Sequence, residues 1–71
     1  MTMGKAMKNA RLKAKLTQKR FSEVSGVNFR LISRYEKDEI RPRIDTVETL
    51  ADALGISIDE FVGHEVIQND R

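Results

Sequence analysis

The sequence predicts an all-α fold, a compact bundle of five short helices, on three observations. A hydrophobic residue, a capping side chain and a second hydrophobic residue four positions after the cap recur three times: Leu16, Thr17, Phe21; Val27, Asn28, Ile32; and Ile56, Ser57, Phe61. Apolar residues recur at helical spacing beyond such starts. Gly26, Pro42 and Gly55 punctuate the chain where one helix must end before the next begins.

Helix 1 is expected from Gly4 to Ala14, with Met3, Met7, Ala10 and Ala14 on one face and basic residues over the others. Helix 2 follows Thr17, whose hydroxyl can accept an unpaired first-turn amide, and stops near Ser25 before Gly26. Helix 3 starts after Asn28, turns Val27, Ile32 and Tyr35 inward, and fades around Lys37. Only Gly26, Val27 and Asn28 separate the two, the connection length of a helix-turn-helix. Pro42 prevents continuation and biases Arg41 toward extended backbone. Helix 4 carries Ile44, Val47, Leu50, Ala51 and Leu54 on one stripe and ends at Gly55; helix 5 runs from Ile58 to about Val62, with Glu60 placed to complete a capping box with Ser57. The tail from Gly63 to Arg71 leaves two readings open, Val66 and Ile67 covering a partner's helix 5 or a frayed end. The whole, residues 1–71 with a core of about 4–62, reads as one domain.

A chain of 71 residues buries only about 60% of the surface its unfolded form exposes, so a partner subunit is a physical expectation. With no cysteine and His64 as the one histidine, disulfides, thiolate chemistry and four-ligand zinc sites drop out, and no metal or cofactor is expected. No apolar stretch has the length of a signal peptide core or a membrane span, which makes the cytoplasm the expected location. The formal charge of +2 hides a segregation. Residues 1–43 hold twelve Lys and Arg against four acids, and residues 44–71 hold seven acids against one arginine. One end should attract a polyanion that the other repels.

Helix 3 has the length to lie in the major groove of a duplex. With its inner face assigned, Phe29, Arg30, Ser33, Arg34 and Lys37 remain outside. Arg30 and Arg34 are four apart, so they share a face, and a guanidinium can bond both O6 and N7 of a guanine. Phe29 and Leu31 are unusual on a basic helix; an apolar side chain there either meets a thymine methyl or belongs to the core. The candidate base contacts are therefore Phe29, Arg30, Ser33 and Arg34. Candidate phosphate contacts are Gln18 and Lys19 at the start of helix 2, Asn28 and Lys37 at the two ends of helix 3, and Arg41 and Arg43 around Pro42.

Leu16-Thr17-Gln18, Gly26-Val27-Asn28, Ile32-Ser33-Arg34-Tyr35-Glu36, Pro42, Thr46 and the run from Leu50 to Ser57 together resemble the phage repressor and Cro type of helix-turn-helix, the XRE family. The resemblance covers about Met7 to Val62. It implies the lambda-repressor-like five-helix bundle, helix 3 in the major groove, and a homodimer reading the half-sites of a palindromic operator on double-stranded DNA. It also implies an internal ion pair between Arg11 and Glu36, which makes Arg11 structural. Three residues depart from the family's pattern: Asp38 where glycine often follows helix 3, Arg43 where a Ser-like cap is common, and the polar Ser25 at the end of helix 2.

The function expected is a small dimeric transcriptional regulator, most simply a repressor, with no small-molecule effector. The competing class is an antitoxin-like module binding a partner protein through the acidic C-terminal half. Enzymatic chemistry has little to draw on, since one histidine, no cysteine and no glycine-rich phosphate loop are present. Membrane-surface binding through helix 1 lacks aromatic anchors.

Overall fold

The computed structural model describes residues 2–62; the readings of Val66 and Ile67 in the tail lie outside those residues. Five helices follow one another: α1 (Met3–Lys13), α2 (Gln18–Ser25), α3 (Phe29–Glu36), α4 (Ile44–Leu54) and α5 (Asp59–Val62). No strand forms among the described residues.

The starts follow from capping chemistry. Thr17 Oγ1 accepts the Arg20 N–H at 3.0 Å, and Asn28 Oδ1 accepts the Arg30 N–H at 2.8 Å. Thr2 caps α1 by accepting the Lys5 N–H at 3.2 Å, so the helix begins one residue before the expected Gly4. At α5 the bond comes from the backbone instead: the Ser57 carbonyl accepts the Glu60 N–H at 3.1 Å and the Ile58 carbonyl the Phe61 N–H at 3.0 Å. That tight turn moves the helix start from Ile58 to Asp59.

The ends share a second device. After α1, α3 and α4 the chain passes through a left-handed residue, Lys15 (φ 62°), Asp38 (φ 61°) and Gly55 (φ 70°). At each the next amide folds back across the last turn. Leu16 N–H bonds the Arg11 carbonyl at 3.2 Å, Glu39 N–H the Arg34 carbonyl at 2.9 Å, and Ile56 N–H the Ala51 carbonyl at 3.1 Å. This is the Schellman arrangement, and two of its three left-handed positions hold residues other than glycine.

Met7, Phe21, Ile32, Tyr35, Val47, Leu50, Ala51 and Phe61 form one buried cluster. The partner residues at the helix entries, Leu16, Val27 and Ile56, are half-buried against it. α1 packs on α3 and α5, α2 on α3 and α4, and α4 on α5, so α3 is held from two sides while its outer face stays open. Two expected core positions lie outside. Ala14 is exposed because it is the C-cap of α1, where the chain already turns away, while Met7 is buried, Met3 and Ala10 are half-buried against the core, and Gly4, Ala6 and Arg11 widen the buried face. Ile44 is 63% exposed because the first turn of α4 projects beyond the core that Val47, Leu50 and Ala51 fill.

Candidate nucleic-acid interface

The site is built on α3, and its inner face explains how the outer face is held. Ile32 and Tyr35 are buried, and Glu36 is buried beside them. Glu36 is the hub of a polar network. Arg11 donates through Nε to Glu36 Oε2 at 2.7 Å and through Nη2 to Oε1 at 3.0 Å, a bidentate pair with side chains 8% and 3% exposed. A third Arg11 bond, Nη1 to the Leu16 carbonyl at 2.8 Å, fixes the loop into α2. Gln18 completes the hub, donating from Nε2 to Glu36 Oε1 at 3.0 Å. The start of α2 is thereby tied to the last turn of α3, directly by Gln18 and through Arg11 of α1.

The turn between α2 and α3 is stitched by serines. Ser22 Oγ donates to the Val27 carbonyl at 2.6 Å, and Ser25 Oγ accepts the Val27 N–H at 3.1 Å. Gly26 supplies the left-handed step, φ 78°. The polar Ser25 thus bonds backbone in the turn itself.

The outward face of α3 presents Phe29 (49% exposed), Leu31 (38%), Arg30 and Arg34, with Lys37 at its C-cap; Ser33 is half-buried. Phe29 is therefore no core residue in this fold. Asn28 spends its side-chain oxygen on capping α3. Gln18 is half-buried with one amide N–H committed to Glu36, and Lys19 beside it is exposed. Arg41 and Pro42 border Asp38 and Tyr35 in a small recess at the far end of α3. Arg43 stands at the N-cap position of α4, its side chain 88% exposed and making no capping bond; its nearest acid is Asp45 Oδ1, at 4.0 Å.

Two neighbours of this face escaped the sequence. Glu39 Oε1 accepts from Arg34 Nε at 3.3 Å, a contact over five residues that no helical spacing predicts. Asp38 accepts from Thr2 Oγ1 at 2.6 Å and from Gly4 N–H at 3.0 Å, docking the start of α1 onto the corner after α3.

Two helices joined by a three-residue turn, the second with its cationic flank outward, is the arrangement of a known class, and residues 7–61 match the helix-turn-helix family. The chain belongs to that family. Among relatives of this helix-turn-helix chain, the immunity repressor protein of Bacillus phage phi105 is 34% identical over 67 residues, 94% of this chain and 46% of the phage protein. The transcriptional regulator ImmR of Bacillus subtilis is also 34% identical over 67 residues, 53% of its length. PuuR of Escherichia coli is 36% identical over 58 residues, 82% of this chain and 31% of that regulator. The helix-turn-helix chain thus spans between about a third and about a half of the curated relatives it matches. Among solved structures, the P22 c2 repressor in complex with a synthetic operator superposes with a TM-score of 0.79 at 30% identity, over 86% of this chain and 92% of that one.

Proposed function

We propose that this chain binds double-stranded DNA in a sequence-dependent manner as a homodimer and acts as a transcriptional repressor, with α3 in the major groove. The observation that carries the reading is the division of α3 into a face fixed by Ile32, Tyr35 and Glu36 and a face on which Phe29, Arg30 and Arg34 are exposed. A groove reader needs that combination: side chains free to reach base edges on a backbone that does not yield. The likeness to a repressor solved on its operator supports it.

Within this reading Arg30 and Arg34 contact bases, Phe29 meets a thymine methyl, and Ser33, half-buried, reaches only a base lying close to the helix. Lys19, Lys37, Arg41 and Arg43 neutralise phosphates, while Gln18 and Asn28 offer the amide N–H groups that their internal bonds leave over. The reading includes no catalytic step and no effector, and places the protein with its DNA in the cytoplasm. Among the described residues no helix is long and apolar enough to cross a membrane.

The test is selection of bound sequences from a random duplex library, followed by a salt titration on the winner. A palindromic consensus is expected, with a slope of log affinity on log salt near about −9 if a dimer neutralises roughly ten phosphates. Failure of every duplex to bind at low ionic strength would end the reading.

A further inference from the structure

We propose that Glu39 is a positioning residue for Arg34, aiming its guanidinium so that the base pair it reads is discriminated more sharply than Arg34 alone would achieve. The inference rests on the base-reading role given to Arg34 above. Its physical content lies in which nitrogen is engaged. An arginine carries one N–H on Nε and four on its two terminal nitrogens, and the bidentate contact to guanine O6 and N7 is made by the terminal pair. Glu39 takes Arg34 through Nε, at 3.3 Å. The side chain is steadied from its flank while its reading end stays unengaged by that bond.

The corner after α3 explains why Glu39 is there. On a continuous helix, residues five apart face different ways. Here Asp38 is left-handed, and its own amide and that of Glu39 fold back to the Tyr35 carbonyl (3.0 Å) and the Arg34 carbonyl (2.9 Å). The residue after such a corner normally rests an apolar side chain on the helix's last turn; in this chain that contact is an ion pair. Thr2 and the Gly4 N–H in turn hold the Asp38 carboxylate. The backbone that carries Glu39 is thus set by bonds that reach α1. Arg30 enters no ion pair among the described residues, so no comparable contact steadies its guanidinium.

An exposed pair with side chains 54% and 49% open to solvent contributes little to folding. A carboxylate near a polyanion should also weaken binding to DNA of any sequence. Stability and bulk electrostatics therefore give no reason for Glu39 to favour an operator, whereas positioning predicts a gain in discrimination.

The experiment measures binding of the full chain to its selected operator, to operators changed at single base pairs, and to random duplex, for the wild type and for R34A, E39A, E39Q and R34A/E39A. R34A identifies the base pair concerned. E39A is expected to raise affinity for random duplex yet lower discrimination at that base pair about three- to fivefold, the size an exposed ion pair can supply. E39Q, whose amide oxygen still accepts from Nε, should keep most of the discrimination while losing the charge, and in the R34A background E39A should change discrimination no further. Unaltered discrimination in E39A overturns the proposal, as does an equal loss in E39A and E39Q, which would assign the effect to charge alone. Should R34A leave every base preference intact, the base-reading role of Arg34 fails, and the proposal with it.

Discussion

The Asp38 carboxylate accepts the backbone N–H of Gly4 at 3.0 Å from a residue whose own backbone is left-handed, and this contact brings the first turn of α1 against the end of α3. The approach is close enough to dictate the residue at position 4. A Cβ there would lie 2.5 Å from the Tyr35 carbonyl oxygen, 2.8 Å from that of Glu36 and 2.7 Å from Asp38 Oδ1.

Two effects of opposite sign therefore compete in Gly4→Ala. Helix propensity favours alanine by about 1 kcal/mol. The clash wins, because two of the three obstructing atoms are backbone and α1 must shift bodily. A net destabilisation of about 1–3 kcal/mol is expected in urea unfolding, and Asp38→Ala should not rescue it, since the carbonyls remain. A Gly4→Ala variant as stable as the parent would show that α1 and α3 are less tightly apposed.

The two left-handed corners without glycine should respond differently to receiving one. Lys15 is exposed, and relieving its φ of 62° should stabilise the chain by about 0.5–1 kcal/mol, a part of the left-handed cost being returned as unfolded-state entropy. Asp38→Gly removes the same strain along with the acceptor for Thr2 and Gly4, so it should be neutral or destabilising. Thermal unfolding of both variants decides the matter; equal gains would mean that the Asp38 bonds contribute nothing.

Local chemistry was legible in the sequence, and the departures share a cause. Thr17, Asn28, Gly26 and Gly55 each act within a few residues of themselves, so their roles could be read from neighbours alone. Ala14 and Ile44 fit an apolar stripe but sit at helix ends, where spacing cannot say how far the core extends. The Thr2 and Asp38 contact spans 36 residues, and nothing local announces it. Gln18 stands in the sequence only as the first residue of helix 2, and its bond to Glu36, 18 residues away, depends on how α2 and α3 pack. Glu39 escaped because its contact depends on a left-handed Asp38, a conformation the sequence permits without requiring.

Breaking the Arg11 and Glu36 pair from one side should cost on the order of 3–5 kcal/mol, because the survivor is a buried charge without its match. Glu36→Ala also strands the Gln18 amide. The double variant Arg11→Met with Glu36→Leu should cost clearly less than the two single losses combined, as an apolar pair needs no partner. Denaturant unfolding of the parent, Arg11→Met, Glu36→Leu and the double variant gives the coupling directly. Strict additivity would mean that the pair is solvated in solution and does not hold α3.

Arg43 offers a case in which folding and binding should move apart. It occupies the N-cap position of α4 without capping it, and its side chain is almost wholly in solvent. Serine there would supply an oxygen for a first-turn amide, worth about 0.5–2 kcal/mol at a typical cap, although the Asp45 carboxylate already takes the Thr46 N–H at 2.9 Å, which places the expectation at the low end. The same change removes a cation assigned to phosphate. Arg43→Ser should therefore melt higher than the parent yet bind operator and random duplex more weakly by similar factors, with the salt slope smaller by about 1 per subunit. A loss confined to one base position would instead make Arg43 a reader of sequence, and unchanged binding would remove it from the interface.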